Sequence, residues 1–256
     1  MNDVSPNTSK ATDETNLSAT VEAWLLAFET ALTSGNADNM TSLFEKDSHW
    51  RDVLAFTWHL TPTVGVQKIV ELLVARNPAI GAHGFSLSPT RTRPRKVKRL
   101  GRDCIEAIFC FKTKVGRCEG VLRMTPNAAG IYRAWVLSTS LEELKGFEER
   151  IGVRRPTGAA YSRNFGGDNW EDVRRKANDY SGRNPAVLVV GGSQAGLSIA
   201  ARLNQLGVDT LVVEKWPRIG DSWRKRYHSL ALHNSINVNN MPYLPFPPTW
   251  PNYIPK

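Results

Sequence analysis

This 256-residue chain is poor in cysteine, has no long apolar run, and shows no acidic majority beyond Thr90. Each shortage excludes something. The three cysteines, Cys104, Cys110 and Cys118, are odd in number, show no CxxC spacing and have no adjacent histidine pair. That pattern disfavours a disulfide framework or a metal site and leaves buried, reduced thiols as the expectation. No apolar stretch approaches the roughly 18 to 20 residues needed to span a bilayer. Residues 1–17 (MNDVSPNTSKATDETNL) are polar and lack the basic-then-apolar order of a secretory signal. A cytoplasmic protein without a membrane span is expected, with a disordered tail over residues 1–17.

The formal net charge of +9 is unevenly distributed. Up to Thr90 ten acidic residues outnumber five basic ones, so the positive excess lies wholly downstream. Part of it is the run Arg91, Arg93, Arg95, Lys96, Lys98, Arg99 and Arg102. Such a run could hold nucleic acid or anionic lipid, yet it has no interleaved aromatics and alternates along an expected strand, as a solvated sheet edge does. Nucleic acid is therefore not an expected partner.

From Val21 the apolar residues Val21, Trp24, Leu25, Phe28, Ala31 and Leu32 recur at helical spacing, with Gly35 placed to stop the helix. A short helix is expected over 37–44 and a third over 66–75. Between them, residues 50–60 (WRDVLAFTWHL) alternate so that Trp50, Leu54, Phe56, Trp58 and Leu60 share one face of a strand. Asp52 falls on that face and His59 on the other, so Asp52 reads either as a pocket acid or as a solvated strand-end residue. Strands are expected over 104–111, 118–124 and 131–138, with turns at 115–116 and 127–130. A helix over 141–151 closes the unit. Helices followed by antiparallel strands make an α+β domain over residues 18–151. Residues 152–184, rich in glycine, arginine, asparagine and serine, read as a linker that packs on its neighbours, because Trp170 and Tyr180 need cover.

Residues 185–214 (PAVLVVGGSQAGLSIAARLNQLGVDTLVVE) read as an apolar strand, a glycine turn opening a helix, and a second strand ending on a carboxylate. The continuous apolar run over 186–190 suits a parallel strand covered on both faces. This is a dinucleotide-binding βαβ pattern. Gly191 permits the tight turn, Gly196 lets the helix sit close to the strand, and the helix amino terminus offers free N–H groups to two phosphates. Gln194 and Ala195 belong to that turn. The third position is Ser193, where GxGxxG has glycine; its Cβ crowds the phosphate while its hydroxyl can donate in return. Glu214 stands where a carboxylate accepts both ribose hydroxyls, which suits FAD or NAD and repels the ribose phosphate of NADP.

Pro217 and Gly220 then break any crossover helix, and the segment ends on Ser222 and Trp223. The stretch GDSWRKRYHSLALH followed by MPYLPFPPTWPNYIPK resembles the flavin-containing monooxygenases, especially their YUCCA-like branch. The features carrying the resemblance are Tyr227, the LxLH of Leu230 to His233, and the proline-rich stretch from Phe246 to Tyr253. The resemblance implies an incomplete Rossmann-type α/β FAD-binding domain over residues 185–256. By motif match Gly191, Ser193, Gln194, Ala195, Gly196, Glu214, Arg218, Gly220, Ser222 and Trp223 hold the FAD, and His233 or Asn234 lies nearest the flavin ring. It also implies that NADPH reduces the flavin and that a flavin hydroperoxide passes one oxygen atom of O2 to a small organic substrate. The order of helices and strands over 17–151 resembles, by pattern alone, the cone-like nuclear transport factor 2-like fold, a possible homodimerisation unit.

A second glycine fingerprint for NADPH and the FxGxxxHxxx-aromatic segment preceding it in that family are absent. The chain is accordingly expected to be an amino-terminal portion without turnover of its own. The alternative reading is a non-enzymatic binding or dimerisation protein built on the amino-terminal domain.

Overall fold

The computed structural model describes residues 8–60, 62–155 and 166–256. They divide into two compact units, Met1–Phe147 and Glu148–Lys256.

In the first unit, α1 (Thr8–Ser34), α2 (Ala37–Ser42) and α3 (Val66–Ile80) accompany strands β1 (Phe44–Val53), β2 (Thr63–Val64), β3 (His83–Leu87), β4 (Arg95–Arg99), β5 (Arg102–Lys112), β6 (Gly116–Pro126) and β7 (Tyr132–Leu144). The helix expected from Val21 therefore begins at Thr8, within the stretch read as a tail, and ends at Gly35 with φ +66°. The strands form one sheet in the order β2-β1-β7-β6-β5-β3, with β4 also on β5. All pairs are antiparallel except β1 with β7. This mixed sheet with three helices is the expected α+β class.

Alternation places Ile105, Ala107, Phe109 and Phe111 of β5, and Cys118, Leu122 and Met124 of β6, on the core face. The helical stripe of Val21, Trp24, Leu25, Phe28, Ala31 and Leu32 is buried against them, as its spacing implied. Rings continue through the interior: Trp24 stacks on Phe28, Phe28 meets Phe85 edge-on, Phe85 stacks on Phe111 at 4.6 Å, and Phe111 contacts Phe56. The core face is lined with aromatic side chains. Buried Asn77 is matched on both sides of its amide: it donates to the Leu32 carbonyl at the end of α1 and accepts from the Ala82 N–H. Glu29 accepts from the N–H groups of Gly84 and Phe85, tying α1 to β3.

Two local expectations are corrected. The strand expected over 50–60 stops at Val53, and Leu54 takes φ +65°. The cause is Asp52, whose carboxylate accepts the N–H groups of Phe56 at 3.0 Å and Thr57 at 2.7 Å and turns the backbone out of the ladder. Trp58, at 87% exposure, and Leu60 consequently leave the core face on which alternation placed them. The helix expected over 141–151 is not formed: β7 continues to Leu144, pairing Leu141 with Cys118 and Leu144 with Gly116, and residues 145–151 are turn and irregular chain. Cross-strand pairing overrides the helical preference of that segment. The basic run does lie along an edge strand, and Arg91, Arg95, Lys98, Arg99 and Arg102 of it are paired with carboxylates. Glu106 takes Arg95, Arg99 and Arg123, Glu119 takes Arg91, and Asp47 takes Arg102.

The second unit contains α4 (Trp170–Ala177), β8 (Val187–Val190), α5 (Gln194–Gln205), β9 (Thr210–Val213) and the short α6 (Asp221–Arg224). Strands β8 and β9 are parallel, with Val187 opposite Thr210 and Val190 opposite Val213. This is the expected βαβ unit. Leu188 and Val190 are exposed, at 55% and 82%, so β8 is covered on one face and not on two. No described element of this unit lies over the other face. Tyr180 docks through its hydroxyl on Asp209, whereas Trp170 lies 64% exposed beneath Arg174 and lacks the cover expected of it. Among the described residues no helix is long and apolar enough to cross a membrane.

Candidate functional site

The site is built where β8 ends. Gly191 adopts φ +109°, a conformation closed to side chains bearing a Cβ, and the chain turns there into α5. Gly196, one turn into the helix, faces the strand so closely that a Cβ would stand 1.8 Å from the Gly191 carbonyl oxygen. No flexible side chain could yield there, because the obstacle is backbone. Glycine at 196 is thus a packing requirement of the α5 to β8 contact, as its place in the motif suggested.

Ser193 is the amino-terminal cap residue of α5, but its side chain makes no capping bond to the helix. The hydroxyl instead accepts a hydrogen bond from Ser222 Oγ at 3.1 Å. The first-turn N–H groups of an α-helix have no partner within the helix, and the helix dipole adds positive potential there.

Glu214 follows β9 and points back to the glycine turn. Its carboxylate accepts the Gly192 N–H at 2.6 Å and the Trp216 N–H at 3.1 Å. These bonds, the Gly192 one foremost, hold the carboxyl below its ordinary range, so it is ionised at neutral pH. Sequence reading passed over Gly192, since the motif leaves that position free. Here its N–H fixes the acid, and a Cβ would meet Ile219 Cδ1 at 2.6 Å.

Two cavities open on the turn. One, of about 680 Å³, is bordered by Gly191, Ser193, Glu214, Trp216 and Ser222, with Lys225 and Arg226 at its edge. Its volume is within the about 300–1,000 Å³ typical of small-molecule sites. Lys225 Nζ stands 3.5 Å from the Trp216 ring centre. The second cavity, of about 320 Å³, has an apolar wall including Leu197, Trp223, Leu232, Met241 and Phe246, and reaches Gln194 and Gly220. Ser193 borders both cavities. The proline-rich end closes the second one: Leu232 N–H donates to the Ile254 carbonyl, Lys256 N–H to the Leu230 carbonyl, and Ile254 is buried.

The structure therefore brings together Gly191, Ser193, Glu214 and Ser222 at the first cavity, and Gln194, Gly220 and Trp223 at the second, while Gly196 borders neither and packs α5 on β8. Ala195 lies exposed in the first turn of α5. Arg218 is exposed and pairs at 3.3 Å with buried Asp221, which Arg224 also binds at 2.9 Å. The Arg224 hydrogen bond in particular keeps the Asp221 carboxyl below its usual range. His233 and Asn234 are exposed and border neither cavity. Asn239, further along the same loop, borders the second, and no motif pointed to it.

Residues 184–226 match the family model described as FAD binding domain. The carboxy-terminal unit resembles the FAD-binding part of the flavin-containing monooxygenases. A probable indole-3-pyruvate monooxygenase, YUCCA4 of Arabidopsis thaliana, is 34% identical over 73 residues, which are 28% of this chain and 18% of that protein. Indole-3-pyruvate monooxygenase YUCCA1 of Oryza sativa subsp. japonica is 38% identical over 73 residues, again 28% and 18%. The matched part of the chain thus spans under a fifth of the length of these curated relatives. A solved structure similar to the chain is an NTF2-like protein with a cystatin-like fold from Novosphingobium aromaticivorans. It is 16% identical, with 55% of this chain and 91% of that one covered and a TM-score of 0.35.

In the amino-terminal unit, Asp52 is neither a free pocket acid nor solvated. It is 3% exposed and accepts, besides the two backbone N–H groups, the Thr139 hydroxyl at 2.5 Å. Thr139 in turn accepts from Trp50 Nε1 at 3.0 Å. With its lone pairs committed, Asp52 shapes the turn after β1.

Proposed function

We propose that the carboxy-terminal unit holds the adenosine and pyrophosphate part of FAD, in an oxidoreductase of monooxygenase type that uses NADPH and O2 on a small organic substrate. The observation carrying this reading is the ionised Glu214 at the end of β9, bonded to Gly192 N–H beside a cavity of about 680 Å³. The residues fit the cofactor. Glu214 has the chemistry to accept ribose hydroxyls, and the turn from Gly191 to Gly196, with the amino terminus of α5, suits two phosphates. Gly220 and Trp223 stand at the apolar second cavity, which suits the flatter, less polar end of the cofactor, while Ser222 faces the first.

When bound, the flavin supplies the electron-transfer and oxygen chemistry. This chain's residues bind it, orient it and exclude water on the α5 side. On the side of Leu188 and Val190 the sheet stands open to solvent. Oxygen chemistry on a flavin requires a dry site, so FAD binding without NADPH turnover is the outcome expected for the 256-residue chain. Titrating the purified chain with FAD tests the reading. A yellow one-to-one complex, weakened by Glu214→Ala, supports it, and failure to bind overturns it. Steady NADPH oxidation with oxygenated product would refute the absence of turnover.

A second reading, a non-enzymatic binding or dimerisation protein, is favoured by the half-buried pair Ile108 and Val121, adjacent across β5 and β6 on the face away from the core. A colourless, stable dimer in sedimentation measurements would favour it over the first.

A further inference from the structure

We infer that Ser193 and Ser222 form a two-hydroxyl relay that binds the dinucleotide pyrophosphate, replacing the close backbone approach that glycine provides at the third position of the motif. The inference rests on the FAD reading above and assigns a positioning role within it. Three observations support it. Ser193 occupies the cap position of α5 yet makes no capping bond, so its hydroxyl is not used by the helix. Ser222 Oγ lies 3.1 Å away and donates to Ser193 Oγ, leaving the Ser193 proton to be given elsewhere. Both hydroxyls border the cavity that also contains the Gly191 turn and Glu214, and Ser193 alone of the two reaches the second cavity.

The chemistry follows from the donor count. A hydroxyl has one proton and two acceptor sites. Ser193 accepts from Ser222 and can donate its own proton to a phosphate oxygen, and a donor that is itself accepting a hydrogen bond is polarised into a stronger one. Ser222 is presented for this by Gly220, whose φ of +88° turns the chain into α6. The Asp221 bonds to Arg224 and Arg218 hold that turn in place. The Cβ of Ser193, which as a bare steric feature obstructs the phosphate, thus comes with a hydroxyl that binds it.

The test measures binding of FAD, ADP and adenosine to the full chain and to Ser193→Ala, Ser193→Gly and Ser222→Ala, by titration calorimetry and quenching of tryptophan fluorescence. A lost hydrogen bond to a charged oxygen corresponds to about tenfold in affinity or somewhat more. Ser193→Ala is therefore expected to weaken FAD and ADP about tenfold and to leave adenosine unchanged, because adenosine carries no phosphate. Ser222→Ala is expected to weaken the same two ligands about threefold, again sparing adenosine. Ser193→Gly should match Ser193→Ala. Tighter binding by Ser193→Gly than by the parent overturns the relay, since it would show that the Cβ obstructs and the hydroxyl does not compensate. Equal losses for ADP and adenosine also overturn it, as they mark a structural role. A parent chain that binds none of the three ligands refutes the FAD reading itself.

Discussion

The two units differ in how their sheets are covered. In the amino-terminal unit the sheet's core face carries Trp50, Phe85, Phe109 and Phe111, with α1 and α3 contributing Phe28, Ile69 and Leu73, all buried. In the carboxy-terminal unit two parallel strands carry α5 on one face and leave Leu188 and Val190 open on the other. The difference teaches where binding can be built. The amino-terminal core is packed with stacked rings, and its inward acid Asp52 is committed to a turn. The thinner unit keeps its polar groups, Glu214, Ser193 and the first turn of α5, at cavity walls. Stability and ligand chemistry are thus divided between them.

The largest effect should separate the units most cleanly. Phe111→Ala removes a ring stacked on Phe85 and touching Phe56 and Phe109. It should destabilise the amino-terminal unit by about 3–5 kcal/mol, measured by urea unfolding, while FAD affinity of the folded chain is retained. Gly196→Ala is the converse. With a Cβ 1.8 Å from a backbone oxygen, it should cost about 3 kcal/mol or more, seen as an at least hundredfold loss of FAD binding with the amino-terminal transition intact. If either variant damages both units alike, the division fails.

Acid should act on the first unit through Glu106, whose bonds to Arg99 foremost, then Arg95 and Arg123, lower its carboxyl from 4.5 to about 2. A depressed folded value means that the stabilisation is fully present above about pH 4.5 and is lost as pH falls toward 2. Because the three arginines are partly exposed, the loss is on the order of 2 kcal/mol. Thermal melts across that range, with Glu106→Gln as the variant lacking the dependence, check it. The smallest effect is that of Glu214→Gln, which should weaken FAD about tenfold, roughly 1.4 kcal/mol, and leave the melt of the amino-terminal unit unchanged.

Much of this was legible in residue order. The α1 stripe, the paired strands 104–111 and 118–124 and the βαβ unit all follow from periodicity and glycine placement, signals that depend only on local geometry. What misled were segments whose fate depends on a distant partner. Residues 54–60 alternate as a strand should, but Asp52 captures the Phe56 and Thr57 N–H groups and ends it. Residues 141–144 favour a helix, but β6 offers a ladder. In the site, Glu214 and Gly196 were readable because the motif assigns them roles. Gly192 and Asn239 were not, because the first acts through its backbone and the second through a fold of the proline-rich loop.

The sequence by itself determined that a glycine turn joins a strand to a helix and that a carboxylate ends the next strand, since spacing and residue type dictate both. Only the tertiary structure decided that Glu214 is fixed by Gly192, that Ser193 meets Ser222 and that Asp52 is consumed as a turn former. Those outcomes depend on which hydrogen-bond donors residues far apart in the chain bring within 3 Å or so, and pairing across such separations is not encoded in local pattern.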